Sequence, residues 1–169
     1  MWQKKICMLG SFAVGKTSLV ARFVNGTFSD KYLTTIGVKV DRKQVEVRDT
    51  PIQLMVWDIH GDDEFQRVRR SYLRGSAGYL LVIDGTRPES LDTAEELHAM
   101  AREELGLVPF RALLNKNDLS DQWRLQGQRL SVLQQEGWVL RETSAKSGAF
   151  VQESFEELAA LIAEQERLF

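Results

Sequence analysis

Short apolar runs alternate with helical periodicities along this chain. Runs of strand length occupy residues 5–9, 38–47, 52–57, 79–83, 112–115 and 139–142. Helical spacing begins at Lys16, between residues 63 and 73, at Glu89, near Trp123 and at Phe150. Tyr79-Leu80-Leu81-Val82-Ile83 is apolar without a break, as befits a strand covered on both faces. Residues 38–47 instead place Val38 and Val40, then Val45 and Val47, around a polar middle. With Asp49-Thr50-Pro51 behind them, they predict a half-exposed strand entering a hairpin. Val151, Phe155, Leu158 and Ile162 share one helical face, a stripe expected to pack into the core. Strand and helix in alternation predict an α/β fold around a mostly parallel sheet.

Composition narrows the picture. The 169 residues suit one domain over 1–169, and a hydrophobic content of 43% is ordinary for a globular chain. Lys plus Arg is 22 and Asp plus Glu is 24, a formal net charge of −2 that gives no reason to expect nucleic acid as a partner. Cys7 is the one cysteine, so no disulfide forms within the chain and a reducing compartment is the default. It lies in an apolar run and is expected to be a buried thiol. No apolar run approaches the roughly 18 residues of a membrane span, and the first residues lead directly into a strand pattern. The chain ends in Glu166-Arg167-Leu168-Phe169, without a cysteine for a prenyl group. The expected location is cytoplasmic, or a membrane surface if a C-terminal tail has been removed.

Candidate chemistry starts at Gly10-Ser11-Phe12-Ala13-Val14-Gly15-Lys16-Thr17, which matches G-x-x-x-x-G-K-[ST] between a strand and a helix. Glycines let the backbone curl until its N–H groups converge on phosphate oxygens. A helix N-terminus adds a favourable dipole. Lys16 would reach the β- and γ-phosphates, and the Thr17 hydroxyl would take a Mg²⁺ position. An ordinary glycine-rich turn with a solvated lysine is the bland alternative. The motif specifies a nucleoside triphosphate but not its base.

Two later segments address the base. Asn115-Lys116-Asn117-Asp118 follows a strand, where ligands of open α/β sheets bind. The Asp118 carboxylate can accept two hydrogen bonds from guanine's ring N–H and amine, a pair that adenine lacks. Thr143-Ser144-Ala145-Lys146 follows the last strand and offers a backbone N–H to the guanine carbonyl. With these, the chain resembles a Ras-superfamily small GTPase of the Rab and Ras kind, over essentially its whole length.

The resemblance implies a six-stranded, mostly parallel sheet with one antiparallel strand towards an edge, flanked by about five helices. It implies that GTP or GDP with Mg²⁺ is bound by Gly10, Ala13, Val14, Gly15, Lys16, Thr17 and Ser18 of the phosphate loop. Asn115, Lys116 and Asp118, with Ser144, Ala145 and Lys146, would hold the base. Phe28 would lie against the guanine ring and Tyr32 would close over the phosphates. Thr35, in Tyr32-Leu33-Thr34-Thr35-Ile36-Gly37, resembles the switch I threonine; it would join Thr17 and Asp58 at the metal. Asp58-Ile59-His60-Gly61 resembles the D-x-x-G of switch II. Lys16, Thr35, Gly61 and Asp62 would serve catalysis. Effectors, exchange factors and activating proteins would meet a monomer around residues 28–41 and 60–75.

The departures from the family pattern are informative. Asp62 stands where the family usually has the glutamine that orients the attacking water. An ionised carboxylate cannot donate a hydrogen bond, and its charge opposes that of the γ-phosphate. Phe12 stands where glycine or serine is usual and would crowd an incoming arginine finger. His60 either turns to solvent or makes a proton-sensitive phosphate contact. His98 is expected on a helix surface. Residues 62–74 are dense in charge: a solvated helix pairing Asp63 with Arg67, or a partner surface anchored by Phe65, Tyr72 and Leu73. A regulatory switch with slow hydrolysis is the leading reading, a GTP-binding scaffold with negligible hydrolysis the second, and a phosphotransferase acting on a small molecule a distant third.

Overall fold

A computed structural model describes residues 1–29, 37–59 and 70–169. The strands are β1 (Trp2–Leu9), β2 (Val38–Val47), β3 (Thr50–Ile59), β4 (Gly78–Asp84), β5 (Phe110–Asn115) and β6 (Leu140–Glu142). The helices are α1 (Lys16–Asn25), α2 (Glu89–Leu105), α3 (Gly127–Gln135) and α4 (Val151–Glu166), joined by 3₁₀ turns at Arg70–Leu73 and Asn117–Gln122. One sheet orders its strands β2-β3-β1-β4-β5-β6. β2 runs antiparallel to β3, and every other neighbouring pair is parallel. The order reverses at β1, between β3 and β4, which is where open α/β sheets open a crevice for ligands.

Period-two alternation divides the core between the two faces of the sheet. Ile6 and Met8 of β1, Leu80 and Val82 of β4 and Leu113 of β5 pack with Val20 and Phe23 of α1 and with Val151, Phe155, Leu158 and Ile162 of α4. The α4 stripe is thus core, and the Phe155 ring stacks on Phe23 with centroids 4.0 Å apart. Cys7, Leu9, Tyr79, Leu81 and Ile83 face the other way, beneath Leu91, Ala94, Leu97 and Ala101 of α2 and Leu133 of α3. The Cys7 thiol is fully buried 2.8 Å from Ser76 Oγ. Burial pushes it up to about 11, against the pull of Ser76 and Lys5.

β2 is half-exposed, as its pattern predicts. Its valines serve both faces: Val45 and Val47 join the α1/α4 side, whereas Val38 packs towards the α2 side and Val40 is exposed. A jump from even to odd positions across the polar middle produces that switch. The hairpin to β3 turns on Arg48 and Asp49, both at positive φ, as a two-residue turn of this twist requires.

The structure departs from three expectations, and a fourth lies largely outside the described residues. The helix expected near Trp123 begins at Gly127, because Trp123 is extended and the Arg124 N–H is committed to the Gly85 carbonyl at 2.8 Å. His98 is not a surface residue. It is half-buried, bonded to the Tyr79 hydroxyl at 2.9 Å, with ring centroids 4.4 Å from Phe110 and 4.9 Å from Trp138. Leu73 is fully buried under α2 and cannot anchor a partner from the surface. The helical pattern between residues 63 and 73, with Phe65 and the Asp63–Arg67 pair, falls outside the described residues except for the 3₁₀ turn at Arg70–Leu73.

Candidate functional site

The C-terminal ends of β1, β3, β4, β5 and β6 bring the sequence motifs to one edge of the sheet. Residues 10–15 curl between β1 and α1. A Cβ on Gly10 would fall 2.5 Å from the Val82 carbonyl oxygen, so only glycine lets the loop leave β1 this close to β4. Gly15 has φ +102, and a Cβ there would fall 2.4 Å from Asn115 Nδ2. Both motif glycines are therefore set by backbone geometry and close approach.

Lys16 is 2% exposed, and its ammonium donates to the carbonyls of Gly10 at 2.8 Å and Ser11 at 3.1 Å. The loop thereby folds around its own lysine. Burial pushes Lys16 down to about 8; the Asp58 carboxylate opposes that shift and Arg87 adds to it. Next along α1, Thr17 Oγ1 donates to Asp58 Oδ2 at 2.5 Å, and Asp58 is fully buried at the end of β3. Two hard oxygen donors at a helix N-terminus fit Mg²⁺, which binds through one or two protein oxygens with phosphates and waters completing its shell. No cluster of three His, Cys, Asp or Glu side chains occurs among the described residues, and a magnesium site of that kind needs none.

The segments 115–118 and 143–146 are bonded to each other, and the first of them to the loop between β1 and α1. Asn115, 1% exposed, donates from Nδ2 to the Val14 carbonyl at 2.9 Å and accepts from Thr143 Oγ1 at 3.2 Å. Lys116 donates to the Ala13 carbonyl at 3.0 Å. The Asn117 N–H meets the Thr143 carbonyl at 2.9 Å. Ser144 Oγ donates to Asp118 Oδ1 at 2.7 Å, fixing the carboxylate's orientation. Lys146 is exposed beside it, and Ala145 is buried. Phe28 is 36% exposed, so it is no core aromatic, and Phe12 is 40% exposed. Ser18 lies half-buried in the first turn of α1. Tyr32, Thr35, His60, Gly61 and Asp62 lie outside the described residues.

Three residues that no motif indicated complete the arrangement. Arg22 of α1 donates from Nε to the Ala145 carbonyl at 2.8 Å and from Nη2 to the Lys146 carbonyl, bracing the loop after β6 against α1. Asp84, 1% exposed, pairs with Lys116 Nζ at 2.8 Å and accepts from the N–H and hydroxyl of Thr86. Burial pushes its carboxyl up, but the Lys116 and Thr86 bonds outweigh that and hold it below the ordinary range. Arg87 reaches back to Ser11 and Phe12. Asp84 had a legible signal, a lone charge closing a fully apolar strand on the ligand edge of the sheet; Arg22 and Arg87 had none.

Residues 5–164 match the Ras family. The Ras-related protein Rab-13 of Canis lupus familiaris is 34% identical over 157 residues, covering 92% of this chain and 77% of the relative. Rab-10 of Caenorhabditis elegans is 33% identical over 160 residues, 94% of this chain and 80% of its own. Rab-8B of Homo sapiens is 33% identical over 159 residues, 92% of this chain and 76% of its own. No helix among the described residues is long and apolar enough to cross a membrane.

Proposed function

The chain belongs to the Ras family of small GTPases, and on that premise we propose that it is a single G domain, residues 1–169, acting as a cytoplasmic monomeric switch with slow GTP hydrolysis. GTP or GDP would lie across the C-terminal ends of β1 and β5. The observation that carries this reading is the bonding of Asn115 and Lys116 to the carbonyls of Val14 and Ala13, which joins a base-reading segment to a phosphate-binding one.

Each residue then has a role. The N–H groups of residues 13–18 and the Lys16 ammonium receive the phosphates. Thr17, Asp58 and, with GTP bound, Thr35 supply oxygens to Mg²⁺, which neutralises phosphate charge when bound. Asp118, held by Ser144, accepts from two donors of guanine, the Ala145 N–H meets its carbonyl, and Phe28 covers one ring face. Thr35 and the Gly61 N–H follow the γ-phosphate, and its loss releases residues 28–41 and 60–75 to a different set of partners. Asp62 keeps turnover slow, since it cannot donate to the phosphoryl group while it accepts from water.

A GTP-binding scaffold with negligible hydrolysis is the second reading, favoured by Asp62 and by the exposed Phe12 ring within the phosphate loop. Competition against labelled GDP tests the base assignment. GTP and GDP should compete and ATP should not, with discrimination of roughly 10⁴ or more. Asp118→Asn should weaken GDP and favour xanthine nucleotides. Equal competition by ATP would overturn the assignment. Nucleotide retained on gentle purification separates the two readings: GDP for a working switch, GTP for a scaffold.

A further inference from the structure

Three successive carbonyls of the phosphate loop are each held by a side chain from elsewhere in the fold. Lys116 holds that of Ala13 and Asn115 that of Val14. The first of the row, Phe12, is held by Arg87, whose Nη2 lies 2.7 Å from the carbonyl oxygen and 3.2 Å from Ser11 Oγ. In a trans peptide the N–H of the next residue points opposite to the carbonyl. A side chain that holds the carbonyl of 12, 13 or 14 therefore also fixes the direction of the N–H of Ala13, Val14 or Gly15, opposite to it.

We propose that Arg87 is a positioning residue for nucleotide binding: with Lys116, and through the buried Asp84 carboxylate both cations share, it holds residues 11–13 in the shape that receives phosphate. Asp84 Oδ2 lies 2.8 Å from Lys116 Nζ and 3.4 Å from Arg87 Nε. One buried carboxylate is thus the counter-charge of both cations that grip the loop. The arginine is launched from a fixed base: its N–H donates to the Asp84 carbonyl, its own carbonyl accepts from Ser90 Oγ at 2.7 Å, and Pro88 follows. The loop needs the support, because Ala13 sits at φ 61, where a residue with a Cβ is disfavoured and glycine would be at ease. The proximity of Arg87 to Lys16 is also felt electrostatically, as it helps push the lysine down.

The inference rests on the nucleotide-binding reading, and the experiment separates the two. Dissociation of fluorescent GDP and amide hydrogen exchange are measured on GDP-bound wild type, Arg87→Ala, Arg87→Lys and Glu89→Gln. The last removes only an exposed partner 3.8 Å from Arg87 Nε. Arg87→Ala should release GDP about tenfold faster or more, the scale of one charged hydrogen bond. Its amides at 13–15 should exchange faster while those of β4 stay protected. Arg87→Lys should fall between, and Glu89→Gln should match wild type. Unchanged GDP release in Arg87→Ala overturns the proposal, as does faster exchange confined to residues 84–90 or spread evenly over the fold. A wild type that retains no guanine nucleotide overturns the underlying reading instead.

Discussion

Asn115 Nδ2 donates to the Val14 carbonyl over 2.9 Å, spanning 101 residues of chain, and the same amide is what a side chain on Gly15 would strike. Removing the amide leaves a buried carbonyl without its donor, which costs about 1–3 kcal/mol. Asn115→Ala should therefore weaken GDP binding by roughly ten- to a hundredfold. Gly15→Ala should be worse, since it combines the clash with a φ of +102. Titration with fluorescent GDP checks both, and Asn115→Ala with wild-type affinity would detach the base segment from the phosphate loop.

Nucleotide affinity should fall at alkaline pH. Burial holds the Lys16 ammonium at about 8 in the protein without phosphate. Phosphate oxygens beside it stabilise the charged form and raise that value on binding. Below pH 8 lysine is charged in both states and affinity is level; above it, binding must take up a proton. GDP affinity should then drop by up to about tenfold per pH unit, until the pKa of the bound state is passed. Titrations between pH 7 and pH 9.5 test this, and a flat profile would contradict it.

The half-buried His98 should make stability depend on pH in the acid range. Burial, assisted by Arg102, pushes it down to about 4 from the ordinary 6.5. The unfolded chain therefore binds a proton more readily than the fold does. The contribution to stability is complete above pH 6.5 and is lost as pH falls from there to about 4. Solvent screening of a partly exposed ring limits the effect to about 1–2 kcal/mol. Urea unfolding at pH 4.5 and pH 7 should show a smaller difference for His98→Phe than for wild type. An equal difference in the two proteins would exonerate His98.

Intrinsic hydrolysis should lie at or below about 10⁻⁴ s⁻¹, the order of unassisted Ras. Glutamine can accept from the attacking water while donating to the phosphoryl group; an ionised Asp62 can only accept. Asp62→Gln should raise the single-turnover rate. Phe12→Gly should have little effect alone and should increase the response to an arginine supplied by a partner. Fast wild-type turnover that collapses in Asp62→Gln would make Asp62 the water-positioning group and reverse the electrostatic argument.

The chain's own pattern determined the α/β class, the order of strands and helices, and the segments 10–17, 115–118 and 143–146 that carry the candidate site. Those features are local: period-two alternation divides Ile6 and Met8 from Cys7 and Leu9, and a glycine-framed loop between strand and helix carries its geometry in contiguous residues. Only the tertiary structure decided what braces those segments. Arg87 finds the Phe12 carbonyl 75 residues away and Arg22 finds Ala145 at 123, because the strand order sets the end of β4 beside that of β1 and docks α1 against the loop after β6. His98 looks like a surface residue until Tyr79, Phe110 and Trp138, from three other parts of the chain, gather around it. Periodicity records which face of an element is apolar. It does not record which distant polar group that face will meet, since that depends on topology and on each buried donor's need for a partner.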